Sequence, residues 1–330
     1  MHGITGNREN TWTHENKTFW PQDLLPVDFI NARVLTFGYD ADTVKLWGPP
    51  AGSNSLRDNG KSLAYAIAEK RPGDAGNRPL LFIVHSMGGL VCEQALLICH
   101  ASTDERLSSI LKSTFGIIFM GTPHQGSSLA SWGSTLAKYL NVARRVNCEN
   151  VKVLETSSPV LRTVEEEFQQ MLLRHEHRDQ IRIFCFYEEV AVTGVGKIVP
   201  EDSARLEQYP SLSIHANHMD MTKFSGSTDA GYVSIRGILQ DWIGKLKKEG
   251  ATGSSNLISS ASPGASTQDA GSAKNERATA SSIPASSVNP DTSTQGASTA
   301  NNIYNINMNS QGGPQFQGGT FSGTTFSWGQ

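Results

Sequence analysis

Continuous apolar runs recur along the first 250 residues and are separated by segments with helical spacing. Four runs rich in β-branched and aromatic residues, and a weaker fifth, occupy 32–37, 80–84, 115–120, 181–186 and 211–214. Runs that do not alternate with polar residues predict strands covered on both faces. Strands that alternate with helices predict an α/β fold with a mostly parallel sheet and helices on both of its faces.

Helical spacing of apolar residues predicts helices between and after these strands. One helix covers Leu56 to Ile67 and must end before Pro72, because proline lacks the N–H that a helix interior needs. A second is predicted to begin at Thr163, a capping residue followed by glutamates that suit a helix N-terminus. A third carries apolar residues from Ile235 to Leu246 and is predicted to end at Gly250.

Changes in composition divide the chain into three regions. The patterned region, residues 1–250, is predicted to be the folded domain. Residues 251–300 hold 29 Ser, Thr or Ala in 50 positions, with no periodic apolar face, so they predict a disordered linker. Residues 301–330 contain no charged side chain and are rich in Asn, Gln, Gly and spaced aromatic residues. This last region is a separate motif at the end of the linker.

Charge and cysteine spacing exclude several function classes. A formal net charge of −3 gives no basis for nucleic-acid binding. The four cysteines have no CxxC or paired spacing, which predicts buried thiols in a reducing compartment, and no group of His, Cys and Asp has the spacing of metal ligands. No apolar run is long enough to span a bilayer, and the N-terminus lacks a signal-peptide core. We therefore expect a cytoplasmic protein with no metal and no cofactor.

The run Val84-His85-Ser86-Met87-Gly88-Gly89 has the context of a nucleophile turn. A predicted strand leads into Ser86 and a predicted helix leaves after it, as in the GxSxG turn of serine hydrolases. The first Gly of that motif is replaced by Val84. Ser86 is therefore the predicted nucleophile, and an ordinary glycine-rich turn between a strand and a helix is the alternative.

His2-Gly3-Ile4 is predicted to form the second half of an oxyanion hole. In hydrolases with an HG turn, the N–H after that turn and the N–H after the nucleophile bind the oxyanion together, which assigns the hole to Ile4 and Met87. The alternative is a flexible N-terminus that happens to contain glycines. The strand that leads into this turn lies in the middle of the sheet, and nothing precedes Met1. We expect either an upstream start or a damaged hydrolase that lacks this strand.

The order of catalytic residues in this fold is Ser, then an acid, then His. Glu188 closes a predicted strand and is the first choice for the acid, with Glu189 next. His218 lies in the loop after the last predicted strand and is the preferred base, with His215 as the alternative. The competing interpretation of the two glutamates is a solvated charge pair at a strand end.

Several stretches resemble one family. The phrase Phe37-Gly38-Tyr39-Asp40, the GTPHxGS stretch at 121–127 and the histidine loop at 217–220 are similar to the serine-active-site-containing hydrolases. In particular, they resemble the fungal SesB-like lipase/esterase domains at the front of NLR-type immune receptors. The resemblance covers roughly residues 1–245 and implies an α/β-hydrolase fold, an acyl-enzyme mechanism and a lipid or ester substrate. The departures are Val84 and the missing strand.

The C-terminal thirty residues have the composition of a cross-β segment. Large apolar residues alternate with Asn over 304–309, and Phe then recurs every five residues. The segment resembles the sigma-type prion-forming motifs of fungal NLR systems, which implies self-assembly through 301–330 and a receptor with a matching motif. It also implies recruitment of the hydrolase, with membrane association on activation and regulated cell death as outcomes. The residues assigned to the motif are Ile306, Phe316, Phe321, Phe326 and Trp328.

Two other functions stay open at the level of sequence. One is a catalytically impaired hydrolase domain that acts only as the docking body for the tail. The other is an ordinary metabolic esterase, for which the tail would be irrelevant. The active serine hydrolase is the preferred interpretation, because the nucleophile, acid and base all occur in the order that the fold requires.

Overall fold

The computed structural model of the chain describes residues 1–3, 6–39, 52–124, 132, 135, 138, 139, 158–174, 180–258, 304–308 and 314–315. Five of the predicted functional positions lie outside these residues. They are Ile4, Phe316, Phe321, Phe326 and Trp328. Most of the predicted linker also lies outside them.

The predicted strands are present, and four of them form one parallel sheet. The strands before the linker are β1 (Leu35–Gly38), β2 (Leu80–His85), β3 (Thr114–Met120), β4 (Arg182–Glu188) and β5 (Ser211–Ile214). The sheet has the order β2-β3-β4-β5, and every neighbouring pair in it is parallel. The carboxyl ends of these strands therefore share one edge of the sheet.

A second, smaller sheet contains β1. It pairs in parallel with β6 (Tyr304–Met308), which in turn pairs antiparallel with β7 (Pro314–Gln315). The start of the predicted C-terminal motif is thus extended in the structure. The chain divides into two units, one made of residues 1–238 and 301–330 and the other of residues 239–300.

Helices precede, connect and follow the strands of the parallel sheet. The helices are α1 (Trp20–Asp23), α2 (Leu25–Asp28), α3 (Gly52–Glu69), α4 (Met87–Ala101), α5 (Glu105–Ser113), α6 (Ser158–Leu173), α7 (Glu201–Ala204) and α8 (Ala230–Ile258). Helix α5 was not predicted from the sequence. Its N-cap is Asp104, whose side chain accepts a hydrogen bond from the backbone N–H of Arg106.

Two predicted helix boundaries are wrong. Helix α6 begins at Ser158 instead of Thr163, with Pro159 in its first turn. Proline suits this position, because an N–H in the first turn has no partner inside the helix. Thr163 therefore lies inside the helix. Helix α8 continues past Gly250 to Ile258, since no proline occurs in that stretch to stop it.

Helix α4 is the central helix of the core. It contacts α3, α5 and α6, and its residues Leu90, Val91 and Cys92 are fully buried. At its start, a Cβ on Gly89 would overlap the side chain of Thr122, which follows β3. The close approach of these two segments requires a glycine here, and it fixes where α4 begins relative to the sheet edge.

Candidate active site

Ser86 forms the turn between β2 and α4 in a backbone conformation that serine rarely adopts. Its φ is 55° and its ψ is −130°, and Lys17 is the other described non-glycine residue with a positive φ. Such a conformation costs about 1–3 kcal/mol and persists only where the surroundings impose it. The Ser86 N–H donates to the carbonyl oxygen of Met120 at 2.9 Å, so the end of β3 holds the turn. The result is the sharp strand-to-helix turn that presents a nucleophile.

Residues 1–3 pack directly against this turn. The N-terminal ammonium group of Met1 donates to the Ile83 carbonyl oxygen at 2.7 Å, and the His85 N–H donates to the Met1 carbonyl oxygen at 3.0 Å. These bonds are those of a parallel pairing with β2. A Cβ on Gly3 would lie 2.6 Å from the Ser86 Cβ, so the HG turn touches the serine.

Of the two predicted oxyanion donors, the structure describes Met87 and does not describe Ile4. Met87 is buried and is the first residue of α4, where a backbone N–H has no partner inside the helix. Ile4 lies outside the described residues, so its role stays a prediction. Among the described residues, β1 and β2 belong to different sheets, and the expectation of a missing strand stays a prediction.

Glu188 ends β4 and is 1% exposed. Its Oε1 accepts the backbone N–H of Val199 at 2.6 Å. Burial raises the pKa of Glu188 to about 7, although backbone N–H groups, led by that of Val199, and the charge of Lys197 act in the opposite direction. The carboxyl is therefore poised between its neutral and ionised forms near neutral pH.

His218 lies in the loop after β5 and is buried beside Glu188. Its Nδ1 is 3.9 Å from the Glu188 Oε1. Burial, and after it the charge of His85, hold the pKa of His218 well below its usual value. A neutral imidazole is the form that can accept a proton as a general base. The ring lies against Gly121, where a Cβ would be 2.9 Å from its Cε1 and where φ is +58°.

The structure also brings together the alternative acid and base. The Nδ1 of His215 lies 3.4 Å from the Oε1 of Glu189, but the two side chains are 83% and 51% exposed. Water screens such a pair and weakens its electrostatic effect. The buried Glu188–His218 pair lies instead at the sheet edge that carries Ser86. The catalytic roles of both pairs stay predictions.

A second buried histidine–glutamate pair was not predicted as part of the site. His124 Nδ1 lies 3.1 Å from the Oε1 of Glu93 on α4, and neither side chain is exposed. Burial disfavours the charged imidazole, but Cys185 and Glu93 outweigh it and raise the pKa of His124 to about 10. The backbone N–H of His124 donates to the backbone carbonyl oxygen of Ser203 at 2.7 Å. This pair joins α4 to the segments after β3 and β4. The signal in the sequence was Glu93, which lies seven residues, or two helical turns, after Ser86 and so falls on the same side of α4.

Comparisons with known proteins give partial matches. No family model matches the chain. Protein SERAC1 of Danio rerio is 29% identical over 269 residues, which cover 74% of this chain and 38% of that protein. Protein SERAC1 of Homo sapiens is 27% identical over 246 residues, 68% of this chain and 35% of that protein. The match therefore spans little more than a third of the length of these relatives.

Among solved structures, a lipase-esterase related protein from Clostridium acetobutylicum ATCC 824 covers 56% of this chain and 75% of its own, with 7% identity and a TM-score of 0.26. That score is too low to carry an argument. The parallel sheet, its helices and the strand-to-helix turn at Ser86 are those of an α/β-hydrolase-like fold. The predicted fold class is confirmed. In the described part of the chain, no helix has the length and apolar character of a membrane span.

The strain at Ser86 predicts an unusual order of stability for its variants. Glycine tolerates a positive φ, whereas alanine keeps the Cβ that makes it costly. We expect Ser86→Gly to have a free energy of unfolding about 1 kcal/mol higher than Ser86→Ala, measured by chemical denaturation. Ser108, inside α5, is the matched control: there the glycine variant should be the less stable of the two, because its backbone is ordinary helix. The same order at both positions would contradict strain at Ser86.

The burial of Glu188 predicts a pH-dependent loss of stability. Its pKa in the folded protein, about 7, lies above its ordinary value of 4.5, so the folded protein favours the protonated carboxyl. That contribution is complete below about pH 4.5 and is lost as the pH rises towards 7. Glu188→Gln, which stays neutral, should therefore gain stability relative to the unmodified protein across this window, measured by urea unfolding at several pH values. Glu189→Gln should show no such trend. A flat difference for Glu188→Gln would rule out the raised pKa.

Proposed function

We propose that this chain is a serine esterase or lipase that works through an acyl-enzyme on Ser86. The observation that carries the proposal is the strained, buried turn at Ser86, with φ at 55° between a parallel strand and a central helix. Proteins keep such strain where it serves a function. The buried pair of Glu188 and His218 at the same sheet edge supports the proposal by supplying the acid and base that a serine needs.

Each group has a defined task in the proposed reaction. The Ser86 Oγ attacks the carbonyl carbon of the ester while His218 accepts the hydroxyl proton. Glu188 stabilises the imidazolium that results, and the N–H groups of Met87 and Ile4 bind the oxyanion. His218 then gives its proton to the departing alcohol. Water then attacks the acyl carbon while His218 accepts a proton from it. His218 returns that proton to the Ser86 Oγ as the acyl bond breaks, which releases the carboxylic acid.

The proposal predicts covalent labelling of Ser86. A fluorophosphonate probe should phosphonylate the folded, full-length protein, and Ser86→Ala should abolish the label, because the probe needs an activated serine. Ser108→Ala is the matched control and should label like the unmodified protein. His218→Gln should slow labelling by about a thousandfold or more, whereas His215→Gln should not. The absence of labelling in folded protein would overturn the enzymatic proposal, and the reverse order of the two histidine variants would move the base to His215.

We further propose that residues 301–330 drive self-assembly, as the resemblance to prion-forming motifs implies. The absence of charge and the alternation of Asn with large apolar residues support it, as does the extended backbone of Tyr304–Met308. Recruitment by a receptor with a matching motif, and a cell-death outcome, would depend on this step.

The assembly proposal is tested with a peptide of residues 301–330. It should form thioflavin-positive fibrils, and a variant with serine at the three phenylalanine positions should not, because stacked aromatic side chains are lost. A soluble peptide would overturn the proposal. Fibril formation by a full-length protein that resists fluorophosphonate would favour the catalytically impaired signalling module instead.

A further inference from the structure

His85 links the predicted nucleophile to the predicted base. It is the last residue of β2 and immediately precedes Ser86. Its ring Nε2 lies 2.9 Å from the backbone carbonyl oxygen of His218, 133 residues further along the chain. Among the hydrogen bonds of the described residues, this is the one made by the His218 carbonyl oxygen, so it is the direct link between β2 and the backbone of His218.

The environment of His85 fixes which ring nitrogen carries the proton. A carbonyl oxygen can only accept, so Nε2 must be the protonated nitrogen. The ring is 3% exposed, and its burial lowers the pKa of His85 to about 3. The side chain is therefore a hydrogen-bond donor at Nε2, directed at the His218 carbonyl oxygen.

His85 also contacts the ring of His218. The two ring centroids are 4.8 Å apart and the ring planes are inclined by 40°. The backbone of His85 is fixed in turn, because its N–H donates to the carbonyl oxygen of Met1. His85 is thus fixed by β2 and by Met1, and it contacts both the backbone and the ring of His218.

We propose that His85 is a positioning residue for the reaction, which holds His218 in place by donating Nε2–H to its carbonyl oxygen. The inference rests on the proposed serine hydrolase function. Removal of the donor leaves a buried carbonyl oxygen unpaired, so the loop shifts to find water or another donor. A displacement of about 1 Å at a catalytic group lowers the rate by about a hundredfold.

Three substitutions separate the donor of His85 from its ring. His85→Phe keeps an aromatic ring without a donor, His85→Gln keeps an amide N–H in place of Nε2–H, and His85→Met has neither. We measure kcat and KM for p-nitrophenyl ester hydrolysis, the rate of fluorophosphonate labelling, and the melting temperature of each variant. Since the donor carries the role, His85→Gln should stay within about threefold of the unmodified protein in kcat. The Phe and Met variants should lose about ten- to a hundredfold in kcat with little change in KM.

The outcomes distinguish this inference from the function on which it rests. An unmodified protein that is folded but neither labels nor hydrolyses esters overturns the proposed function, and this inference with it. An active unmodified protein whose Phe and Met variants keep their kcat overturns the inference alone. So does a Phe variant that outperforms the Gln variant, because ring packing would then be the contribution. If His85→Phe does not fold, the comparison of Gln with Met, which are equal in length, decides.

Discussion

The backbone at Ser86 is held in an unfavourable conformation by everything that packs around it. Helix α4 is buried among three other helices and cannot shift, and Thr122 closes on Gly89 at its first turn. The end of β3 accepts the Ser86 N–H, and Gly3 covers the serine from the N-terminal turn. The core therefore maintains the strain that presents the hydroxyl. A hydroxyl on an unstrained surface loop would have none of this support.

Two buried histidine–glutamate pairs behave in opposite ways within this frame. His124 Nδ1 lies 3.1 Å from the Glu93 Oε1, and Cys185 and Glu93 together raise the pKa of the histidine, so this contact acts as a fixed link between elements. The Nδ1 of His218 lies 3.9 Å from the Oε1 of Glu188. Burial raises the pKa of Glu188 and lowers that of His218, so both shifts favour the neutral side chains. The first pair links elements of the fold, whereas the second has the perturbed pKa values that are common at functional sites.

Sequence reasoning recovered what depends on local pattern. The bounds of β5 were predicted as they are observed, and the other strands followed from continuous apolar runs. The start of α6 was predicted too late because Thr163 is a capping residue type followed by glutamates, whereas the helix begins at Ser158 with Pro159 in its first turn. Glu188 and His218 were predicted from the order of residues in the fold, and the structure places the two side chains together, with their roles still a prediction. The contact of His85 with the His218 carbonyl could not be predicted, because it joins segments that are brought together only by the folded sheet.

The order of the parallel sheet places the segments that carry Ser86 and His218 after different strands. Ser86 follows β2 at one end of the order, while His218 follows β5, an edge strand of four residues on which Leu212 is half exposed. Beyond it, the loop is anchored by Thr222, whose hydroxyl donates to the Thr11 carbonyl oxygen and whose own carbonyl accepts the Trp20 indole N–H. Edge strands open more readily than central ones. Local opening at β5 would move His218 away from the sheet edge while the core kept Ser86 in place.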